Sequence, residues 1–90
     1  MQPVVGHVIY YTLQATDGVK PFRVGEVRPA IITQVFANEY PNNPLCTYGV
    51  NLQVFLDGPN DVEAAGPTVW RASCEYSAQP QPGTWHWPGC

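Results

Sequence analysis

The chain has 90 residues, of which 44% are hydrophobic and 12% are charged, and its formal net charge at pH 7 is −3. This length allows one domain with one hydrophobic core, and high hydrophobicity with low charge excludes a disordered chain. The chain has four lysines and arginines and seven carboxylates. This excess of negative charge also excludes non-specific binding to the phosphate backbone of a long nucleic acid.

Ten prolines and eight glycines predict many turns and argue against long helices. The sequence has no apolar run long enough for a membrane span and no leader for export, so we expect a cytoplasmic protein without a membrane partner. Three cysteines, Cys46, Cys74 and Cys90, cannot all pair within one chain, and in the cytoplasm we expect them to be reduced.

Residues 4–13 are the first predicted strand, because they are rich in β-branched and aromatic side chains. Alternation does not choose which face is buried, but Tyr10 and Tyr11 must point to opposite faces. One of the two is therefore expected to face solvent or a groove. Residues 14–28 contain an Asp-Gly turn, a proline and a glycine, and they predict a long connecting loop.

Residues 29–38 are the second predicted strand, which begins with a proline that needs no ladder donor. A polar, proline-rich insert follows at residues 39–44. Residues 48–57 give the clearest strand, because apolar and polar side chains alternate along them. Its inward face is predicted to consist of Val50, Leu52, Val54 and Leu56.

Residues 68–77 are the fourth predicted strand and alternate in the same way. The inward face is predicted to consist of Trp70, Ala72, Cys74 and Tyr76. The charged residues between them, Arg71 and Glu75, are then expected to face solvent. The acids Asp57, Asp61 and Glu63 fall in the turn region before this strand, where solvated charge is the ordinary interpretation.

Residues 78–83 contain two prolines and cannot form a central strand. They lead into residues 85–87, which are expected to form a short last strand or a single turn. Four strands and a short fifth, joined by turns, predict an all-β fold. We expect a small SH3-like antiparallel barrel of about five strands with long loops, as one domain over residues 1–90. It is preferred over an oligonucleotide-binding barrel because the chain is short and its last element is brief.

Trp85 and Trp87 in an extended strand lie on one face, with His86 on the other. Two interpretations are open: the indoles close the barrel core, or they form a flat aromatic wall for a planar ligand. In the second, the polar contact comes from His86 or Tyr11. The anion partner is then an arginine, either Arg28 or Arg71.

The sequence contains no motif for chemistry. It lacks a nucleophile elbow, a paired-carboxylate site and a glycine-rich phosphate loop, so we expect neither enzyme activity nor a cofactor. His7 and His86 lack the short ligand spacing of structural zinc sites, so no metal site is predicted.

Three segments carry a resemblance to known proteins: Arg28-Pro-Ala-Ile-Ile-Thr-Gln-Val, Val50-Asn-Leu-Gln-Val-Phe-Leu and Pro82-Gly-Thr-Trp-His-Trp-Pro. They resemble a group of small phage-encoded and prophage-encoded proteins, and the Gly-Thr-Trp-His-Trp-Pro ending is the most specific part. Members of that group often carry an acidic residue after the last proline, where this chain has Gly89 and Cys90. The resemblance implies the cytoplasm of a bacterial host cell and no established activity.

Two functions are predicted for such a protein. The first, which is favoured, is a non-enzymatic sponge that sequesters a nucleotide-derived host immune signal in pockets between subunits, because aromatic walls and arginines hold bases and phosphates. The second is a protein-interaction or virion accessory module with no small ligand, which exposed tyrosines and a polar strand edge suit. We also expect a homo-oligomer, because so small a core gains from a partner surface.

Overall fold

The computed structural model describes residues 2–63 and 66–88. In these residues five antiparallel strands form one sheet in the order β4-β3-β2-β1-β5, and no α-helix occurs. The strands are β1 (Val8–Thr12), β2 (Val27–Phe36), β3 (Gly49–Phe55), β4 (Thr68–Cys74) and β5 (Trp85–His86). The predicted all-β class and small barrel-like architecture are confirmed.

The sheet is barrel-like but not closed by its five strands. β4 and β5 are its two edges, and a parallel bridge between Tyr76 and Trp85 joins the chain after β4 to β5. The N–H of Trp85 donates to the carbonyl of Glu75, and the N–H of Ser77 donates to the carbonyl of Trp85, both at 3.0 Å. The two edges are thereby held together over one core.

Among the described residues, three short 3-10 turns lie in the connections rather than in the sheet. Ala15–Asp17 and Pro21–Arg23 occupy the long β1–β2 connection, and Gly58–Asn60 lies between β3 and β4. Gly18 ends the first of these turns with φ of +79°, a left-handed conformation that glycine adopts without strain. The predicted connecting loop is therefore an ordered segment with two turns.

The core is built from the inner faces of the strands. Its fully buried side chains include Val50, Leu52 and Val54, as predicted, and Leu56 packs against them while partly exposed. On β1 the buried hydrophobic side chains are those of Ile9 and Tyr11, Thr12 is buried as well, and so is Leu13, the next residue after the strand; Tyr10 is 36% exposed. One of the two adjacent tyrosines thus faces solvent, as predicted.

The prediction for β4 was wrong at Trp70 and Ala72, which face outward instead of inward. Trp70 is 54% exposed and Ala72 is exposed, whereas Val69 packs against the core. Cys74, by contrast, is buried as predicted. The two ends of β4 therefore follow opposite alternations.

A β-bulge explains this reversal. The pairing of β4 with β3 shifts register between Val50 and Leu52, and Ser73 has φ of +54°. One extra residue at a bulge moves every later side chain to the other face of the sheet. The N–H of Ser73 donates to the side-chain oxygen of Asn51 at 2.9 Å, and the Tyr40 hydroxyl donates to the Ser73 carbonyl. These contacts hold the bulge in place.

The left-handed backbone at Ser73 gives a direct test. We expect Ser73→Val to lower the free energy of unfolding by about 1–3 kcal/mol, because a β-branched residue is strained at positive φ. Ser73→Gly is expected to change the free energy of unfolding by less than about 1 kcal/mol. Glycine relieves the backbone strain of the folded state, but it also raises the entropy of the unfolded chain, and the two effects oppose each other. Urea denaturation measures both variants, and equal losses would contradict the assigned conformation.

Candidate functional site

β5 places the first indole of the Trp-His-Trp segment in the core. Trp85 is fully buried and pairs with Tyr11 across β1 and β5. Its ring meets Tyr76 and Trp87 edge to face, with centroids 4.9 Å and 5.2 Å away. Trp87 is partly buried against the same core, and the His7 ring lies 5.5 Å from it. Trp85 is therefore a core residue, in line with the first of the two interpretations.

His86 lies on the opposite face of β5, as the alternation predicts. Its ring packs edge to face on Tyr10, with centroids 5.7 Å apart. Burial lowers the pKa of His86 below its usual value, so the ring is neutral at pH 7. Its Nδ1 is buried and has no hydrogen-bond partner among the described residues. The two indoles and His86 thus do not share one binding surface.

Tyr11 and Arg71 meet at a buried carboxylate. The Tyr11 hydroxyl donates to Asp17 Oδ2 at 2.9 Å, and Arg71 Nε lies 3.3 Å from Asp17 Oδ1. Burial and the neighbouring carboxylate raise the pKa of Tyr11 well above its usual range. Arg71 was predicted to face solvent, and this is corrected: it pairs across the sheet with the buried Leu52 and reaches Asp17. The bulge that places the Trp70 side chain on the outer side of the sheet also places the Arg71 side chain on the inner side.

Arg28 makes a bidentate ion pair with Asp61. Its Nε donates to Asp61 Oδ2 at 2.7 Å and its Nη2 to Asp61 Oδ1 at 2.6 Å. The N–H of Asp57 also donates to this carboxylate, at 2.7 Å, and the Asp61 side chain is fully buried. The hydrogen bonds from Arg28 are the main reason that the pKa of Asp61 falls to about 2. The interpretation of Asp61 as solvated charge was wrong, because these donors replace water.

All four lysines and arginines contact carboxylates in this fold. Besides the pairs of Arg28 and Arg71, Arg23 pairs with Glu26 at 3.1 Å, and Lys20 lies 4.0 Å from Glu63. An anionic ligand at Arg28 or Arg71 would have to displace a buried carboxylate. The residues predicted for a ligand site are thus divided among the core, the outside of β5 and two carboxylate networks.

The Arg28–Asp61 pair makes stability depend on pH in the acid range. The folded-state pKa of Asp61 lies below its ordinary value of 3.8, so its contribution is present above pH 4 and is lost as pH falls toward about 2. We expect this loss to be about 2 kcal/mol. Thermal unfolding from pH 6 to pH 2 measures it. The Asp61→Asn variant should be less stable than the parent at pH 6, and its stability should fall less between pH 6 and pH 2. A variant whose stability falls as steeply as that of the parent would contradict the role of the Arg28–Asp61 pair.

An open groove of about 490 Å³ has Tyr76 and Thr84 in its lining. One wall is the β2–β3 connection and the other is the chain that follows β4. Apolar side chains line much of it, and Leu45 is 66% exposed. The tyrosines and the apolar residues of the lining are Tyr40, Pro41, Pro44, Leu45, Tyr76 and Ala78.

Asn43 fixes the two walls of this groove to each other. Its Nδ2 donates to Glu75 Oε2 and to the Tyr76 carbonyl, both at 2.9 Å. Its Oδ1 accepts from the N–H groups of Leu45 and Cys46, at 3.0 Å and 3.2 Å. All the hydrogen-bonding capacity of one amide side chain is therefore used to set the shape of the groove before any ligand enters.

The groove has a negative electrostatic character. Glu39 and Glu75 belong to its lining, and none of the described residues that line it is a lysine, arginine or histidine. Burial, together with the charges of Glu39 and Glu75, raises the pKa of Tyr40 above its usual value. The groove thus favours a cation over an anion. Its only signal in the sequence was the proline-rich insert, which predicts a turn and not a binding surface.

Other kinds of site have no basis in the described residues. Residues 2–63 and 66–88 hold no group of three or more His, Cys, Asp or Glu side chains placed to bind a metal ion. No helix in the same ranges is long and apolar enough to cross a membrane. Comparison with known proteins finds no matching family model, no matching curated protein and no matching solved structure.

Proposed function

We propose that this chain is a non-enzymatic interaction module that binds an extended segment of a partner protein in the groove beside Tyr40 and Tyr76. The observation that carries the proposal is the lining of that groove, where tyrosines and prolines stand beside two carboxylates. Proline-rich and other extended segments pack into aromatic-lined grooves. The partner segment is expected to carry apolar residues and at least one lysine or arginine.

The shape of the groove supports this proposal. Asn43 joins both walls, and the Tyr40 hydroxyl ties one wall to the backbone of Ser73. A preformed groove avoids the entropy cost of ordering loops when the partner binds. Leu45, on the rim, offers apolar surface to the partner.

Charge is the reason to prefer this function over the nucleotide sponge. A phosphate in the groove would meet Glu39 and Glu75 and no cation, because the lysines and arginines are paired with carboxylates elsewhere. A lysine or arginine of a protein segment would instead gain charge-assisted hydrogen bonds. With the resemblance to phage-encoded proteins, the partner would be a phage or host protein in an infected bacterium.

Synthetic nonapeptides of proline and leucine with one arginine, placed at each position in turn, test the proposal. We expect the best of them to shift the backbone amide resonances of the non-proline residues in 39–45 and 75–77. The same peptide with glutamate for arginine should bind at least about fivefold more weakly, because like charges then meet. Arginine and glutamate peptides of equal affinity, or shifts confined to other residues, would reject the proposal.

Glu75→Gln is the matching variant of the protein. A glutamine oxygen still accepts from Asn43, so the walls of the groove stay joined while one charge is removed. We expect arginine-peptide affinity to fall several-fold, whereas Glu63→Gln, at a side chain that is 90% exposed and outside this groove, should leave it unchanged. A parallel calorimetric screen of linear and cyclic nucleotides decides the alternative: a tight nucleotide complex without peptide binding would establish the sponge instead.

A further inference from the structure

The outer face of the sheet carries an uncharged and mostly apolar row that crosses four strands. Val8 pairs with Ile31, Ile31 with Gln53, and Gln53 with Trp70. These side chains point away from the core, because their neighbours along each strand are the ones that pack inward. Val8 and Trp70, at the two ends of the row, are both more than half exposed.

A second row lies beside the first on the same side. It contains Tyr10, opposite Pro29, and Phe55, opposite Thr68. Phe55 is 42% exposed. We refer to the two rows together as the outer face, which consists of Val8, Tyr10, Pro29, Ile31, Gln53, Phe55, Thr68 and Trp70.

The outer face has no charged residue, although the chain as a whole carries a net charge of −3. His86, which packs on Tyr10 at the margin of the face, is neutral at pH 7 because burial lowers its pKa. Exposed aromatic and aliphatic side chains grouped without charge are typical of interaction surfaces. Each of these side chains would gain from being covered.

We infer that the outer face binds the outer face of a second copy of this chain, as a two-fold symmetric dimer. In such a dimer both partners present the same surface, so a charged residue on one partner can lie near a residue of the same charge on the other and be repelled by it. The outer face avoids this repulsion, because none of the seven carboxylates and none of the four lysines and arginines of the chain lies on it. A charged partner of another kind would find no group with which to form an ion pair there.

The small dimensions of the face indicate a weak, transient dimer. Three strand spacings of about 4.8 Å give a width of roughly 14 Å, and the two rows, two residues apart along each strand, span a length of roughly 7 Å before the side chains are counted. Such a patch is smaller than the roughly 800 Å² per partner of a standard interface. We therefore expect a dimer that dissociates in the micromolar range. The outer face shares no residue with the groove, so both could be occupied at once.

Sedimentation equilibrium over micromolar to submillimolar protein tests this inference. The apparent mass is expected to rise from 9.9 kDa toward twice that value. Trp70→Glu should weaken the dimer by roughly thirtyfold or more, the size of a typical hot-spot loss. Phe55→Glu, on a different strand and row, should act in the same direction. The matched control is Phe22→Glu, an exposed aromatic residue of the β1–β2 connection, which should leave association unchanged.

Two outcomes would overturn the inference: a parent protein of monomer mass at every concentration, or a dimer that both Trp70→Glu and Phe55→Glu leave intact. Circular dichroism checks that each variant is folded. The peptide titration, repeated with Trp70→Glu, keeps this inference distinct from the proposed function. Peptide binding that persists in the monomeric variant would support both. A parent protein that binds the peptide but stays monomeric would reject only the dimer, and a parent protein that dimerises but binds no peptide would reject only the proposed function.

Discussion

Trp85→Ala is expected to lower the free energy of unfolding by about 3–5 kcal/mol, the cost of deleting a large aromatic side chain from a core. The reason is that Trp85 is fully buried between Tyr76 and Trp87 and opposite Tyr11. A domain of this size has a total stability of roughly 5–13 kcal/mol, so much of it would be lost. Urea denaturation followed by far-ultraviolet circular dichroism measures the change.

Trp87→Ala and Trp85→Phe are the matched controls. Trp87 is only partly buried, so its truncation should cost less than that of Trp85. Trp85→Phe keeps an aromatic ring in the core and should retain part of the lost stability. A Trp85→Ala variant as stable as the parent would contradict the core placement and reopen the aromatic wall as a ligand site.

Arg28→Met is expected to lower the free energy of unfolding at pH 7 by about 3–5 kcal/mol, because it leaves the buried carboxylate of Asp61 without its principal partner. The two hydrogen bonds of 2.6 and 2.7 Å between these side chains are lost together. The Asp57 amide and the more distant Arg23, at 3.6 Å, compensate only in part. Chemical denaturation of the variant and the parent in the same buffer measures the difference.

A double-mutant cycle shows whether the cost comes from the unpaired charge. Arg28→Met with Asp61→Leu removes both charges and should recover much of the stability lost in Arg28→Met alone. Arg23→Met, which removes an arginine from the same neighbourhood, should cost less because that side chain is more exposed. Additive losses in the double variant would show that Arg28 and Asp61 do not act as a pair.

The strands and most of the core could be predicted from the sequence because period-two alternation reports burial directly. β3 shows this best, since Val50, Leu52 and Val54 are all buried. The alternation failed in β4, where Ser73 adopts a left-handed backbone and shifts the register. A serine at this position gives no sequence signal for a bulge, so Trp70 was assigned to the wrong face.

The arrangement of charges and the groove could not be predicted, because both depend on contacts between distant parts of the chain. Arg28 and Asp61 are 33 positions apart, and so are Asn43 and Tyr76. Residue patterns within one segment contain no information on which loop will meet which. The Trp-His-Trp segment was correctly identified as two-faced, but only the fold shows that Trp85 is in the core.

The pairing of Tyr11 with Trp85 also bears on how the chain folds during its synthesis on the ribosome. The core needs an indole that is translated more than seventy residues after its strand partner, so the first four strands emerge without the side chain that completes their interior. Contacts so far apart in sequence are slow to form. Nascent chains that end before residue 85 would therefore expose apolar surface to chaperones, and the final cooperative step would await the arrival of β5.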